Sequence, residues 1–348
     1  SGQFRVEAEL VQAADDVIEL RTSDGRTITV PLARLSAADR EFVARQSAAT
    51  SDEDAGAAAV TLGPAKTFTV RVGMEITGRG AATNVWGIVT VPMDWPEQTV
   101  RVVDKEQTRE VGKVSYRVLN NGAKQMMIFV PRLRDGDTAR ATLTLEVEGH
   151  EMIGPAATAG LRLPQRPGAD VRKYLEPGPE TNSRDATIVD ATSKAVAGVE
   201  GAWRQVQAIH DFAIDHVRYV KRDENTSATT ALAAGQGDCH ELSALFVAMC
   251  RAHGVPARCI WSPSHVHAEF YLEDAAGRGH WYPVESTNKE HFGHLPRTSV
   301  ILQKGDNFNV PEFREPLHFA RTVVKGSFGP GGAQPEFKEI LEVRPTSP

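Results

Sequence analysis

"GQGDCHELSALFVAMCRAHGVPARCIW", residues 235–261, decides how the chain is read. Leu242, Leu245, Phe246, Met249 and Cys250 recur at helical spacing and form one apolar stripe. Asp238 stands before the stripe as an N-cap, and Glu241 follows at the spacing of a capping box. His253-Gly254-Val255-Pro256 supplies a glycine stop and a proline. The pattern predicts a helix from about Cys239 to His253. Cys239 is then its first residue, Cys250 lies on the buried stripe, and Cys259 falls in the apolar strand that follows. A thiol at a helix N-terminus meets free backbone N–H groups and the positive end of the dipole, and both favour its anion. Gly235 and Gly237 leave room for a carbonyl to approach.

A nucleophilic thiol needs a base and a group to orient that base. "SPSHVHAEFYLED" alternates, so His265, His267, Glu269 and Tyr271 share one face of a strand. A turn, "EDAAGRG", leads into "HWYPVEST", where Trp281, Pro283 and Glu285 share a face. Two hairpin-joined strands can bring Glu285 beside a histidine. This reading leaves both His265 and His267 open as the base. Trp281 reads as a core residue, and His240 and His253 as solvent-facing helix residues.

The rest of the chain bounds the possibilities. It has 348 residues, 41% apolar and 24% charged, the composition of a globular protein of two or three domains. A net charge of −6 and no basic cluster argue against nucleic acid as a partner. No run of about 18 apolar residues is present, so no membrane span is expected. Three cysteines do not make a disulfide framework. The opening "SGQFRVEAEL" lacks the basic start and apolar core of a leader, which leaves the compartment open between export and the cytoplasm.

The expected organisation is multidomain α+β. Residues 1–46 read as a small β module: "FRVEAEL" alternates through Phe4, Val6, Ala8 and Leu10. "DDVIEL" and "TITVPL" flank a turn at Ser23-Asp24-Gly25, and Ser36 to Asp39 start a helical turn towards Phe42. Residues 47–65, small and polar, read as a linker. Residues 66–163 carry period-two strands, with Phe68, Val70, Val72, Met74 and Ile76 on one face and Ala141, Leu143, Leu145 and Val147 on another, and read as a β-sandwich. Residues 164–197 form a Pro/Gly-rich crossing and the start of a helical region. Residues 198–330 hold the thiol and histidines, and 331–348 read as a C-terminal tail.

Five linked stretches carry a resemblance. They are Gly237-Asp238-Cys239, "RAHGVPAR" (251–258), His265-Val266-His267-Ala268-Glu269, Trp281-Tyr282-Pro283-Val284-Glu285, and Phe292-Gly293. In this order, residues 198–330 resemble a transglutaminase-like domain of the papain-type cysteine fold in its bacterial form. The resemblance implies Cys239 as nucleophile and His265, four before the glutamate, as base. It implies Glu285 at the position of the family's aspartate and His267 where the family has tryptophan. Gly237, Asp238, His267, Glu269 and Trp281 are the implied supporting residues, and no cofactor or metal is implied. The first 46 residues resemble the SLA-homology module, an SH3-like barrel that binds short Asn-Pro-Phe peptides in endocytic adaptors. The β segment before the core resembles the sandwich found there in bacterial relatives.

Three functions compete on this reading. The first is a cysteine amide-bond enzyme, a peptidase, amidase or transamidase, acting on a protein or peptide through an acyl-enzyme on Cys239. The second is a binding protein that keeps the fold with little or no activity. The third is a zinc site on His265-x-His267, supplemented by Cys239 and His240.

Overall fold

A computed structural model of the chain describes residues 8–14, 17–22, 26–36, 39–40, 43, 56–120, 122–222, 224–329 and 333–346. The N-terminal module is an antiparallel sheet of β1 (Ala8–Ala14), β2 (Val17–Thr22) and β3 (Thr27–Pro31), in that order. Ile18 is buried, and the Asp39 N–H donates to Ser36 Oγ at 3.1 Å, as a cap requires. Phe4, Val6, the turn at Ser23-Asp24-Gly25, Phe42 and linker residues 47–55 lie outside the described residues.

The period-two segment forms β4 (Thr61–Thr77), β5 (Ala82–Val91), β6 (Gln98–Gln107), β7 (Lys113–Leu119), β8 (Ala123–Leu133) and β9 (Thr138–Ile153). Antiparallel β4, β9 and β6 make one sheet, and β5, β8 and β7 belong to the other. Phe68, Val70, Val72, Met74 and Ile76 are all buried, as are Ala141, Leu143, Leu145 and Val147. They pack against Val85, Val89, Met126, Ile128 and Val130 of the facing sheet. Alternation thus places one side of β4 and of β9 inside, each fully buried aliphatic contributing about 1.5–3 kcal/mol.

Helices follow: α1 (Ala186–Val196), capped by Asp185; α2 (Ala202–His216); α3 (Ala228–Ala234), capped by Ser227; and α4 (Cys239–Ala252). Two short strands, β10 (Arg218–Tyr219) and β11 (Gln236–Gly237), pair in parallel just before α4. Beyond α4 come β12 (Ala257–Ser262), β13 (His265–Glu273) and β14 (Gly279–Val284), an antiparallel meander. α4 packs on the other helices and on β12 and β13. Every residue from His240 to Arg251 is therefore buried, not only the predicted stripe. His240, expected to face solvent, is 2% exposed. The polar residues on that side of α4 are paired with distant segments: Arg251, for example, donates to Asp306 at 2.5 Å and to the Ala257 carbonyl at 2.7 Å.

The core and the sandwich share a sheet. β15 (Gln303–Lys304) bridges β12 to β8, giving the order β14-β13-β12-β15-β8-β5. The chain then returns to the sandwich. β16 (Val323–Phe328) pairs with β5, and β17 (Glu336–Pro345) runs along β4 from Thr77 to Phe68. The stretch expected as a tail, 331–348, thus contains an edge strand of the first sheet. Among the described residues no helix is long and apolar enough to cross a membrane.

Candidate active site

The site is built first by the cap of α4. The Asp238 carboxylate accepts from the His240 N–H at 2.9 Å, and Glu241 Oε2 accepts from the Asp238 N–H at 2.9 Å. Gly237 is required: a Cβ there would lie 2.5 Å from the Cβ of Glu241. Its carbonyl accepts from Val220 N–H at 2.7 Å, which fastens the turn to β10. Cys239, the first residue of α4, stays partly exposed, whereas Cys250 and Cys259 are fully buried. Burial pushes both of those thiols well above the ordinary range.

His265 opens β13, and Glu285 follows the last residue of the neighbouring β14. His265 Nε2–H donates to the Glu285 carboxylate, 3.0 Å from Oε1 and 2.8 Å from Oε2. Nδ1 is the nitrogen left for the thiol. A hydrogen bond with Cys239 is the largest influence on this imidazole. With the bond and charge of Glu285 it outweighs burial and raises the ring to about 10. Burial alone would raise Glu285, but the His265 bond and charge hold it down at about 2. His265 and Glu285 thus favour an ionised pair.

Other residues hold this geometry. The hydroxyl and N–H of Thr287 donate to Glu285 Oε1 at 2.9 and 3.3 Å. His210, buried on α2, donates from Nε2 to the Glu285 carbonyl at 3.0 Å. Burial pushes the His210 ring down from its ordinary value. Neither Thr287 nor His210 was singled out by sequence reading. Nor was Tyr219, whose exposed phenol is raised by desolvation and then by the charges of Cys239, Asp238 and Glu285. The parallel pairing of Tyr219 with Gly237 explains its nearness, a relation that only the fold makes visible.

The remaining sequence candidates divide. His267 is buried, its ring 6.3 Å from that of His265 and nearly parallel to it, and desolvation lowers it to about 4. Glu269 belongs to a buried ion network: it pairs with Arg258 and accepts from Lys304 at 3.0 Å, and Lys304 also pairs with Glu97 at 2.5 Å. Trp281 is opposite Tyr271, at the far end of the hairpin, with Arg258 4.2 Å over its ring. Four residue steps along the strand, about 13 Å, separate it from Glu285. It packs the network rather than the thiol. His265 Nε2 is occupied by Glu285, and the Glu/His group with metal-ligand spacing among the described residues is Glu180, His240 and His318, which includes neither His265 nor His267.

Residues 190–286 match the transglutaminase-like superfamily, a span that includes Cys239, His265 and Glu285. This segment is a transglutaminase-like domain. Residues 1–50 match SLA1 homology domain 1, so an SH3-like module precedes it. No curated protein matches the chain. Among solved structures, a candidate cysteine protease from Cytophaga hutchinsonii is similar at a TM-score of 0.58 and 16% identity, over 83% of this chain and 93% of that one. That coverage is broader than the transglutaminase-like domain, so the likeness of fold takes in sandwich strands as well. A candidate protease from Parabacteroides distasonis matches at a TM-score of 0.23 and 11% identity, over 66% of this chain and 70% of that one.

Proposed function

We propose that the transglutaminase-like domain is a cysteine-dependent amide-bond enzyme acting on a protein or peptide, with Cys239 as nucleophile, His265 as base and acid, and Glu285 as the orienting carboxylate. The observation that carries this reading is the two-oxygen grip of Glu285 on His265 Nε2, in an imidazole whose largest raising influence is Cys239.

The steps follow from these atoms. The Cys239 sulfur attacks the carbonyl carbon of a carboxamide or peptide. The Cys239 N–H, at the first helical position, has no intrahelical acceptor and donates to the oxyanion. The Tyr219 hydroxyl is the proposed second donor, and Tyr219→Phe is expected to slow acylation. As the tetrahedral adduct collapses, the C–N bond breaks and His265 Nδ1–H gives its proton to the departing nitrogen. Ammonia or an amine leaves, and a thioester remains on Cys239. His265, now neutral, takes a proton from water or from a second amine, which attacks the thioester and restores the thiol. Water gives hydrolysis and an amine gives transamidation. The SH3-like module is proposed to bind a short peptide, bringing the substrate chain to the site.

The test is hydroxylamine trapping with casein and with glutamine-containing peptides. The reading predicts hydroxamate formation and an acyl adduct on Cys239 by mass spectrometry, both absent in Cys239→Ser. Peptide binding without adduct or hydroxamate would favour a non-catalytic binding protein instead.

A further inference from the structure

The second residue of α4 belongs to a different cluster from the thiol beside it. Glu180 from the crossing segment, His240 from α4 and His318 from the stretch before β16 each place one ligand atom in a cluster, all within 4.8 Å of one another. His240 Nε2 is 2.8 Å from Glu180 Oε2, and His318 Nε2 is 3.7 Å from the same oxygen. Both imidazoles are buried and Glu180 is half-buried. Glu180 Oε2, His240 Nε2 and His318 Nε2 are buried atoms with no hydrogen-bond partner of acceptable geometry. Buried polar atoms are rarely left without a partner, so a cluster of such atoms marks a place for a missing one.

The donor set says what the partner is. Two imidazoles and one carboxylate are the ligands of zinc and other first-row divalent metals, and leave further positions open. Ligand atoms around tetrahedral zinc stand roughly 3.3 Å apart, as its bond lengths require. The 2.8 and 3.7 Å separations bracket that value. The back of His240 is prepared as well. Its Nδ1–H donates to Glu241 Oε1 at 3.2 Å, which turns the Nε2 lone pair towards the cluster. Glu241 is itself fixed by the N–H groups of Thr226 and Asp238 at 2.6 and 2.9 Å. Trp261 closes one side, its ring 5.6 Å from His240 and 5.2 Å from His318. The competing arrangement is an ion pair, with a proton on His240 Nε2 facing Glu180. It leaves His318 Nε2 without a partner.

We propose that Glu180, His240 and His318 form a binding site for one first-row divalent cation of the zinc type. Occupied, the site ties the crossing segment and the chain before β16 to the first turn of α4. It is independent of the reaction assigned to Cys239.

The test uses the full chain, stripped with a chelator and titrated with Co²⁺ and then Zn²⁺. The expected result is one Co²⁺ per chain with visible d–d absorption, displaced by Zn²⁺, and a higher Tm when either metal is bound. Cys239→Ser should keep the site, and the bound Co²⁺ should show no thiolate charge-transfer band. Glu180→Gln and His318→Ala should each weaken binding at least tenfold, on the scale of lost ligand-shell interactions. Near-UV circular dichroism checks that each variant is folded, and Glu180→Gln, at a half-buried and isosteric position, guards against loss of folding in His318→Ala. Absence of saturable binding, or binding undiminished in both variants, would overturn the site and leave an ion pair beside a neutral buried histidine.

Discussion

Ser243 Oγ lies 3.0 Å from Ser286 Oγ and 3.2 Å from the Val266 carbonyl, all inside the protein. One hydroxyl thereby ties together the helix that begins at Cys239, the strand residue next to His265 and the residue next to Glu285. Three groups from separate elements thus share one buried hydroxyl. Ser243→Ala is expected to cost about 1–2 kcal/mol of stability, the scale of a buried hydrogen bond lost with its partner left behind. It should also slow alkylation of Cys239 several-fold in protein that is still folded. Denaturant unfolding and labelling rates measure the two effects separately.

Glu285→Gln keeps the size and hydrogen bonding of the side chain but removes its charge. The imidazolium loses its partner, and thiol reactivity or turnover should fall on the order of 10²-fold or more. Glu285→Asp keeps the charge on a shorter arm and should stay within about tenfold of the parent. Kinetics of both variants decide whether carboxylate charge or mere hydrogen bonding orients His265.

His265 should titrate near pH 10 in the intact protein, as followed by NMR of the ring carbons. Its raised value means that its contribution to stability is complete below the unfolded value of about 6.5 and is lost as the pH rises through about 10. Glu285, held at about 2, contributes above its ordinary carboxylate range and loses that contribution as the pH falls through about 2. In Cys239→Ala the largest influence raising His265 is gone, and its midpoint should move down. An unchanged midpoint would mean that the thiol and imidazole are not coupled.

Glu269→Ala tests a different role. It leaves Arg258 and Lys304 as buried charges with one partner fewer, and should destabilise the fold by about 3–5 kcal/mol. Labelling of Cys239 in the remaining folded protein should be nearly unchanged. Loss of labelling at full stability would instead put Glu269 in the site.

The neighbourhood of the thiol is legible in the sequence because its signals are local. The Asp238–Glu241 cap, the apolar stripe and the glycine stop all fall within one helix, and the helix starts at Cys239 as the pattern predicts. The His265 and Glu285 strands are joined by a short turn, so alternation and the hairpin bring them together. What the sequence hides is long-range. His240 looks like a surface residue because Glu180 and His318 lie in segments far from it along the chain. The period of Trp281 says that it packs, but not that it packs on Arg258 rather than near the thiol. β17 reads as a tail because an edge strand pairs on one side only, and its partner β4 comes more than 250 residues earlier. Ser243 gives no signal at all, since its role depends on two strands that follow it.

The most direct measurement is the rate at which iodoacetamide labels Cys239 at pH 6 in the native protein, compared with Cys250 and Cys259 and with the His265→Ala variant. The account predicts rapid labelling confined to Cys239, with Cys250 and Cys259 reacting only after denaturation because both are fully buried. It predicts that His265→Ala brings Cys239 down to the slow rate of an ordinary thiol at that pH. Slow labelling of Cys239 in the native protein, or fast labelling that survives His265→Ala, would contradict a thiolate held by its imidazolium.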